Sequence, residues 1–217
     1  MIQVENTETW GIEHAIRGMR NPLNSWDRSD SRWEVLLRSG RTFVLGENDK
    51  KLMQRLFAAG TEHRKYLRQI MVSMDITAPF YFWKEFDTYK VGTTANSCST
   101  MHKIAAKEFS RDDFSHEHLN EEGLKLLDTT IEFLNQNREE YLQADKNNPA
   151  ARKEIWWQLI QSLPTSYNQK RTVTMNYENV FNMIKQRTGH KLDEWNQYVE
   201  ILKDLPYIKD ISASNAE

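Results

Sequence analysis

Four apolar residues at every second position, Ile70, Val72, Met74 and Ile76, constrain this chain more than any other feature. Strict alternation places all four on one face of an extended strand, so it predicts a half-buried β-strand. The strand runs through Ala78-Pro79 into the aromatic run Phe80 to Phe86, read as a Pro-started helix. A polar segment follows, Thr93 to Thr100, dense in hydroxyl, amide and thiol side chains, and is expected to be a loop. A rigid scaffold carrying such a loop is a common way to present polar groups to a ligand, so function is expected between Arg68 and Lys103.

Helical periodicity accounts for most of the remainder. Glu8 to Met19 reads as a helix with Ile12, Ile16 and Met19 on one face, stopped by Asn21-Pro22, after a short strand at Ile2 to Val4. Asn24 to Arg32 is Ser/Asp-rich and reads as a surface loop. Asp49 to Ala59 is predicted helical, capped by Asn48 and ended by Gly60. His118 to Leu142 is the longest helix, with Leu119, Leu126, Leu127, Ile131 and Leu134 as its stripe. Asn148-Pro149 restarts a helix whose face is Ile155, Trp156, Leu159 and Leu163. Arg171 to Met175 is a second strand, followed by helices at Tyr177 to Arg187 and Lys191 to Leu202. The expected class is α+β, helix-dominated with a small antiparallel or mixed sheet. One domain over 1–211 is expected, with a disordered tail at 212–217.

At 217 residues the chain can bury a full core. A formal net charge of −2 gives no global attraction to nucleic acid or to an anionic membrane. The lone Cys98 excludes an internal disulfide and suits a reducing compartment. No basic-plus-apolar leader opens the sequence, and no apolar run reaches the roughly 20 residues of a membrane span. A cytoplasmic protein without nucleic-acid or membrane partners is the expectation.

Two stretches resemble a known family. ITAPFYFWKEF with the later Thr-x-Asn-x-x-Ser element, and LPTSYNQKRTVTMNYENVFNMIKQRTGHKLDEW, resemble the core and C-terminal part of the flavin-dependent thymidylate synthases, the ThyX family. The resemblance covers the chain from about Trp10 onward. It implies a ThyX-like fold, a homotetramer with sites between subunits, and reductive methylation of dUMP to dTMP, a methyltransferase step of nucleotide biosynthesis. FAD would be the cofactor, with NAD(P)H and methylenetetrahydrofolate as co-substrates. By the same resemblance Thr94, Asn96, Ser99, Arg187 and Lys90 would bind the nucleotide, while His63 and Asn176 would line the flavin. No metal is implied.

The departures fall on the charged groups. Thr88, Tyr89 and Lys90 stand where the family has Arg-His-Arg, and Met101-His102 replaces its final Arg-Tyr. Glu178 replaces an arginine expected near the flavin, and Gln69 replaces a histidine. Arginine grips a phosphate through a two-pronged, permanently charged fork, whereas lysine offers a point charge. Each lost contact of this kind weakens binding by roughly 1.5–3 kcal/mol. Lys84, Lys90, His102 and Lys103 are the nearby candidates to compensate.

Three functions therefore stay open: a synthase, a catalytically inactive ThyX-like nucleotide-binding or protein-interaction module, and a purely structural assembly protein. Other groups have plainer readings. Cys98 has no assignable His partner for nucleophilic work. His116 and His118 beside Asp112-Asp113 diverge on a helix start and lack a third ligand. The aromatic run suits core packing, and Lys170-Arg171 is too small for a nucleic-acid patch.

Overall fold

The computed structural model describes residues 2–36 and 40–213, so most of the expected tail, from 214 onward, lies outside the described residues. The first strand, β1 (Gln3–Trp10), runs past the expected Ile2 to Val4. Glu8, Thr9 and Trp10, expected to open a helix, pair instead with Ser73, Val72 and Met71. The β-branched Thr9 and aromatic Trp10 fit a pleated ladder better than a helical turn. Gly11 then turns the chain at φ 91°, where a Cβ would stand 2.1 Å from the Gln69 carbonyl oxygen. Only glycine fits that turn. It leads into α1 (Ile12–Arg20), which buries Ile12, Ile16 and Met19 as predicted.

The Asn24 to Arg32 segment is more than a surface loop. Two 3-10 turns, Asn21–Leu23 and Trp26–Arg28, precede β2 (Arg32–Leu36), which pairs antiparallel with β3 (Gly40–Val44). In α2 (Glu47–Ala58) Asn48 is not the cap but a first-turn residue. The carboxylate of Asp30 does the capping from outside, accepting from Asn48 N at 2.9 Å and Asp49 N at 3.1 Å. Gly60 ends the helix region at φ 100°, as predicted.

The alternation is realised in β4 (Met71–Pro79): Val72, Met74 and Ile76, with Ile70 before them, are buried. Pro79 caps α3 (Phe80–Phe86), which buries Phe82, Trp83 and Phe86. The polar segment expected as a loop is a strand, β5 (Thr93–Ser97), followed by the single turn α4 (Thr100–Lys103). Its pairing partner lies some 80 residues away and could not be read locally.

Helix α5 (Glu121–Gln143) starts later than His118, with Asn120 as its cap. It buries Leu127 and Leu134, while Leu119 and Leu126 are exposed at 43% and 70%. Leu126 lies about 100° around the helix from Leu127, so the buried stripe is narrower than the leucine pattern. In α6 (Pro149–Ser162) the Asn148 side chain caps as predicted and Leu159 is buried. β6 (Asn168–Asn176) contains the predicted strand, and α7 (Tyr177–Arg187) has the predicted bounds. The last helices are α8 (Asp193–Lys203) and α9 (Ile208–Ser212), so Ser212 lies in a helix rather than in the tail.

The main sheet has the order β1-β4-β6-β5, with every neighbour antiparallel. One face packs on α3, α7 and α8 through Met74, Ile76, Val173, Met175, Trp83, Trp195 and Tyr198. A separate cluster of Phe109, Phe114, Leu127, Leu134 and Leu159 joins α5 and α6. The expected α+β class holds, and the sheet is antiparallel rather than mixed.

Candidate functional site

Register decides which polar side chains of the sheet share a face. Thr94 lies opposite Thr174, and Asn96 opposite Thr172. Residues directly opposite in an antiparallel pair point the same way, away from buried Val173 and Met175. This outer face is polar over most of its width, with Trp10 and Met71 at one end. Thr172 Oγ1 donates to Asp75 at 2.6 Å, and Thr174 Oγ1 to Ser73 Oγ at 3.0 Å. Lys170 reaches Glu5 at 3.0 Å and Asp75 at 3.5 Å. The side chains of Thr94 and Asn96 on the edge strand make no hydrogen bond among the described residues. They are free to meet a ligand.

Arg187 has a different setting, at the C-terminal end of α7 and half-buried. Its Nη1 donates to Glu85 Oε2 at 2.6 Å and lies 3.1 Å from His190 Nε2; its Nε donates to the Tyr89 hydroxyl at 2.9 Å. The guanidinium stacks over the Trp195 ring at 4.7 Å. His190 Nε2 also lies 3.2 Å from Glu85 Oε2. Nη2 of Arg187 has no hydrogen-bond partner among the described residues. The arrangement fixes a guanidinium between a carboxylate and aromatic rings while leaving one donor edge open. Lys90 follows Tyr89 directly in the chain and is exposed.

Asn176 sits at the opposite end of α7. It caps the helix by accepting from Asn179 N at 3.1 Å, and its Nδ2 lies where a Gly92 Cβ would come within 2.3 Å. Asn179 donates to Val91 O at 2.6 Å and to Thr93 Oγ1 at 2.7 Å, pinning the turn that leads into β5. Arg187 is the eleventh residue of the helix that Asn176 caps, a span of about 16 Å. The fold therefore does not gather the expected residues into one contact. Instead it lays them along α7 and the edge of the sheet.

Glu178 is buried beside Asn176, with both Nε and Nη2 of Arg64 on its Oε1, at 3.0 and 2.8 Å. Its other oxygen is buried without a partner among the described residues. Burial pushes the nearby Tyr66 phenol well above its ordinary range; Arg64 counters this and Glu178 adds to it. His63, next to Arg64, is exposed in the turn after α2. Ser99 is occupied as the cap of α4, accepting from His102 N at 3.2 Å. Lys84, His102 and Lys103 are exposed. Cys98 is exposed and free, its backbone tied to Lys170 and Gln169. His116 contacts the Phe114 carbonyl and His118 contacts Asp193. No group of metal-binding side chains forms among the described residues.

No family profile and no curated protein sequence matches the chain. Solved structures do. The chain is similar to a Helicobacter pylori thymidylate synthase X (ThyX) with FAD and dUMP, at TM-score 0.67 and 17% identity over 98% of this chain and 97% of that one. A second complex of ThyX from Helicobacter pylori with FAD and dUMP gives 0.66 at 18% identity, covering 97% of each. PolB, a UMP/dUMP methylase from Streptomyces cacaoi bound with 5-Br dUMP, gives 0.59 at 13%, covering 94% and 88%. The fold is that of ThyX.

Identity this low carries the ThyX fold and no residue roles. Within it, several members of the site escaped sequence reasoning: Glu85, His190 and Trp195 around Arg187, and Arg64 opposite Glu178. Glu85 and Arg64 lie 102 and 114 positions from their partners. His190 lies three positions past Arg187 and, like Trp195, sits inside the C-terminal stretch that carries the resemblance, where no periodicity marks it as a neighbour of the guanidinium. No described helix of this ThyX-fold chain is long and apolar enough to cross a membrane.

Proposed function

We propose that the chain is a thymidylate synthase-like protein that binds a pyrimidine nucleoside monophosphate of the dUMP type. The observation that carries this reading is the open donor edge of Arg187, fixed by Glu85, Tyr89 and Trp195 on a fold shared with dUMP-bound structures. In this reading Arg187 Nη2 donates to a pyrimidine carbonyl and Lys90 faces the phosphate, while Thr94 and Asn96, on the sheet face turned away from α7, reach the sugar or the base of a nucleotide held by a neighbouring copy of the chain. Ser99 contributes through its loop. The associated chemistry is reductive methylation of dUMP, with FAD, NADPH and methylenetetrahydrofolate. Self-association into a tetramer belongs to the same reading.

FAD brings a diphosphate, and the residues of one chain do not fit it. At the Asn176 end of α7, Arg64 gives both of its hydrogen bonds to Glu178. His63 is exposed and Asn176 is spent on its cap. No fixed arginine fork remains there for a diphosphate. That observation favours a second reading, a nucleotide-binding ThyX-like module without synthase activity.

Titration calorimetry with dUMP, with and without FAD, tests both. dUMP is expected to bind, and Arg187→Gln to weaken it by roughly 1.5–3 kcal/mol, the range for a hydrogen bond to a charged group. A flavin spectrum that responds to dUMP would favour the synthase; dUMP binding without flavin would favour the module. Absence of any dUMP binding would sink both.

A further inference from the structure

A second concavity lies away from these residues. It is an open cleft of about 1600 Å³ between the 3-10 turns after α1, the outer side of α2 and the end of α9. Its cationic lining is Arg20, Arg28, Lys51 and Arg55, against one carboxylate, Asp27. Leu23, Leu52, Phe57 and Ile211 supply an apolar floor. Such a positive excess stands out on a chain of net charge −2.

A buried polar scaffold holds the rim. Asp49, fully buried, accepts from Arg20 Nε at 2.6 Å, from the hydroxyls of Ser29 and Ser31 at 2.7 Å each, and from Ser31 N at 3.0 Å. Arg20 Nη1 donates to Ser25 O at 3.0 Å. Arg20 is 3% exposed, and its Nη2, on a side chain that lines the cleft, has no hydrogen-bond partner among the described residues. Asn24 on the rim takes the left-handed conformation, φ 45°.

The neighbouring acid is already used. Asp210 pairs with Lys50 at 2.8 Å, while Lys51 and Arg55, one turn apart on α2, have no ion pair among the described residues. Arg28 is unpaired in the same sense. A rigid loop, a buried guanidinium with a free donor and three uncompensated cations converge on one apolar floor. That is the chemistry that accepts a multiply charged organic anion.

We propose that this cleft is a second ligand site, separate from the Arg187 site, for a small phosphorylated molecule bearing at least a diphosphate. Lys51, Arg55 and Arg28 meet the phosphates, Arg20 Nη2 donates from below, and the organic part lies on Leu23 and Phe57.

The test is calorimetry on the intact protein with two probes, inorganic pyrophosphate and ADP. Both are expected to bind, more weakly at high salt, with ADP the tighter. Pyrophosphate binding as tightly as ADP would support the anion site with the apolar floor unused. The double variant Lys51→Gln/Arg55→Gln, on an exposed helix face, is expected to lose at least about tenfold, or about 1.4 kcal/mol, with an unchanged melting curve. Arg187→Gln is expected to leave ADP binding unchanged, so a failure of dUMP to bind elsewhere does not touch this result. Absence of binding by both probes, or equal binding by the double variant, would overturn the proposal. So would a loss that follows Arg187→Gln.

Discussion

Glu85 holds Arg187 Nη1 at 2.6 Å and is one of the contacts that fix the guanidinium. Both side chains are partly solvated, so the pair adds under about 1 kcal/mol to stability. Glu85→Ala is therefore expected to leave the melting temperature nearly unchanged and, by freeing the guanidinium, to weaken dUMP binding. Tighter binding in that variant would make Glu85 a competitor for Arg187 instead of a positioning residue. Asp49 is a different case, because burial opposes its charge and hydrogen bonds from Ser31, Ser29 and Arg20 outweigh burial, holding the carboxyl below its ordinary value. A depressed folded-state pKa gives stability that is complete above the unfolded value, about 3.9, and is lost as pH falls through the folded value. Asp49→Asn is expected to flatten that acid limb in a urea-denaturation series against pH. Asp49→Ala strands the Arg20 guanidinium and is expected to cost about 3–5 kcal/mol.

Among the elements, the turn into β5 is the most tightly constrained. Gly92 combines φ 77° with the close approach of Asn176 Nδ2. Gly92→Ala is expected to cost about 1–2 kcal/mol in the left-handed conformation alone. It should also displace Asn176 from its cap, visible as lost protection of the first turn of α7 in amide exchange. If that turn stays as protected as in the unmodified chain, the Asn176–Gly92 contact does not hold it. Helix α2 depends on a distant cap. Asp30→Ala removes acceptors for Asn48 N and Asp49 N, and chemical denaturation should register a loss of about 1 kcal/mol.

Over the whole molecule, hydrophobic burial falls into two clusters. The larger seals the sheet against α3, α7 and α8; the smaller joins α5 and α6 around Leu127, Leu134 and Leu159. Amides in β4 and β6 are expected to exchange most slowly, with α5 and α6 opening at lower free energy, as local units do when fewer buried contacts hold them. Equal protection in both regions would mean one cooperative unit. Leu159→Ala, in the smaller cluster, is expected to lower stability by about 2–5 kcal/mol. It should speed exchange in α5 before it does so in β4.

The sequence by itself determined what neighbours along the chain decide. Alternation wrote β4, and Asn148-Pro149 wrote the start of α6. In each, the signal lies within a few residues of the structure it specifies. The α+β class was legible for the same reason, and the ThyX-like fold through the two stretches that resemble that family. Tertiary structure alone decided the rest. Asp49 became a buried anchor because Arg20, Ser29 and Ser31 arrive from other elements. Glu178 met Arg64 across 114 positions and Arg187 met Glu85 across 102. The segment read as a loop became β5 because β6 offered an edge. Such meetings follow from how helices and strands pack in three dimensions, and no periodicity or local propensity records them.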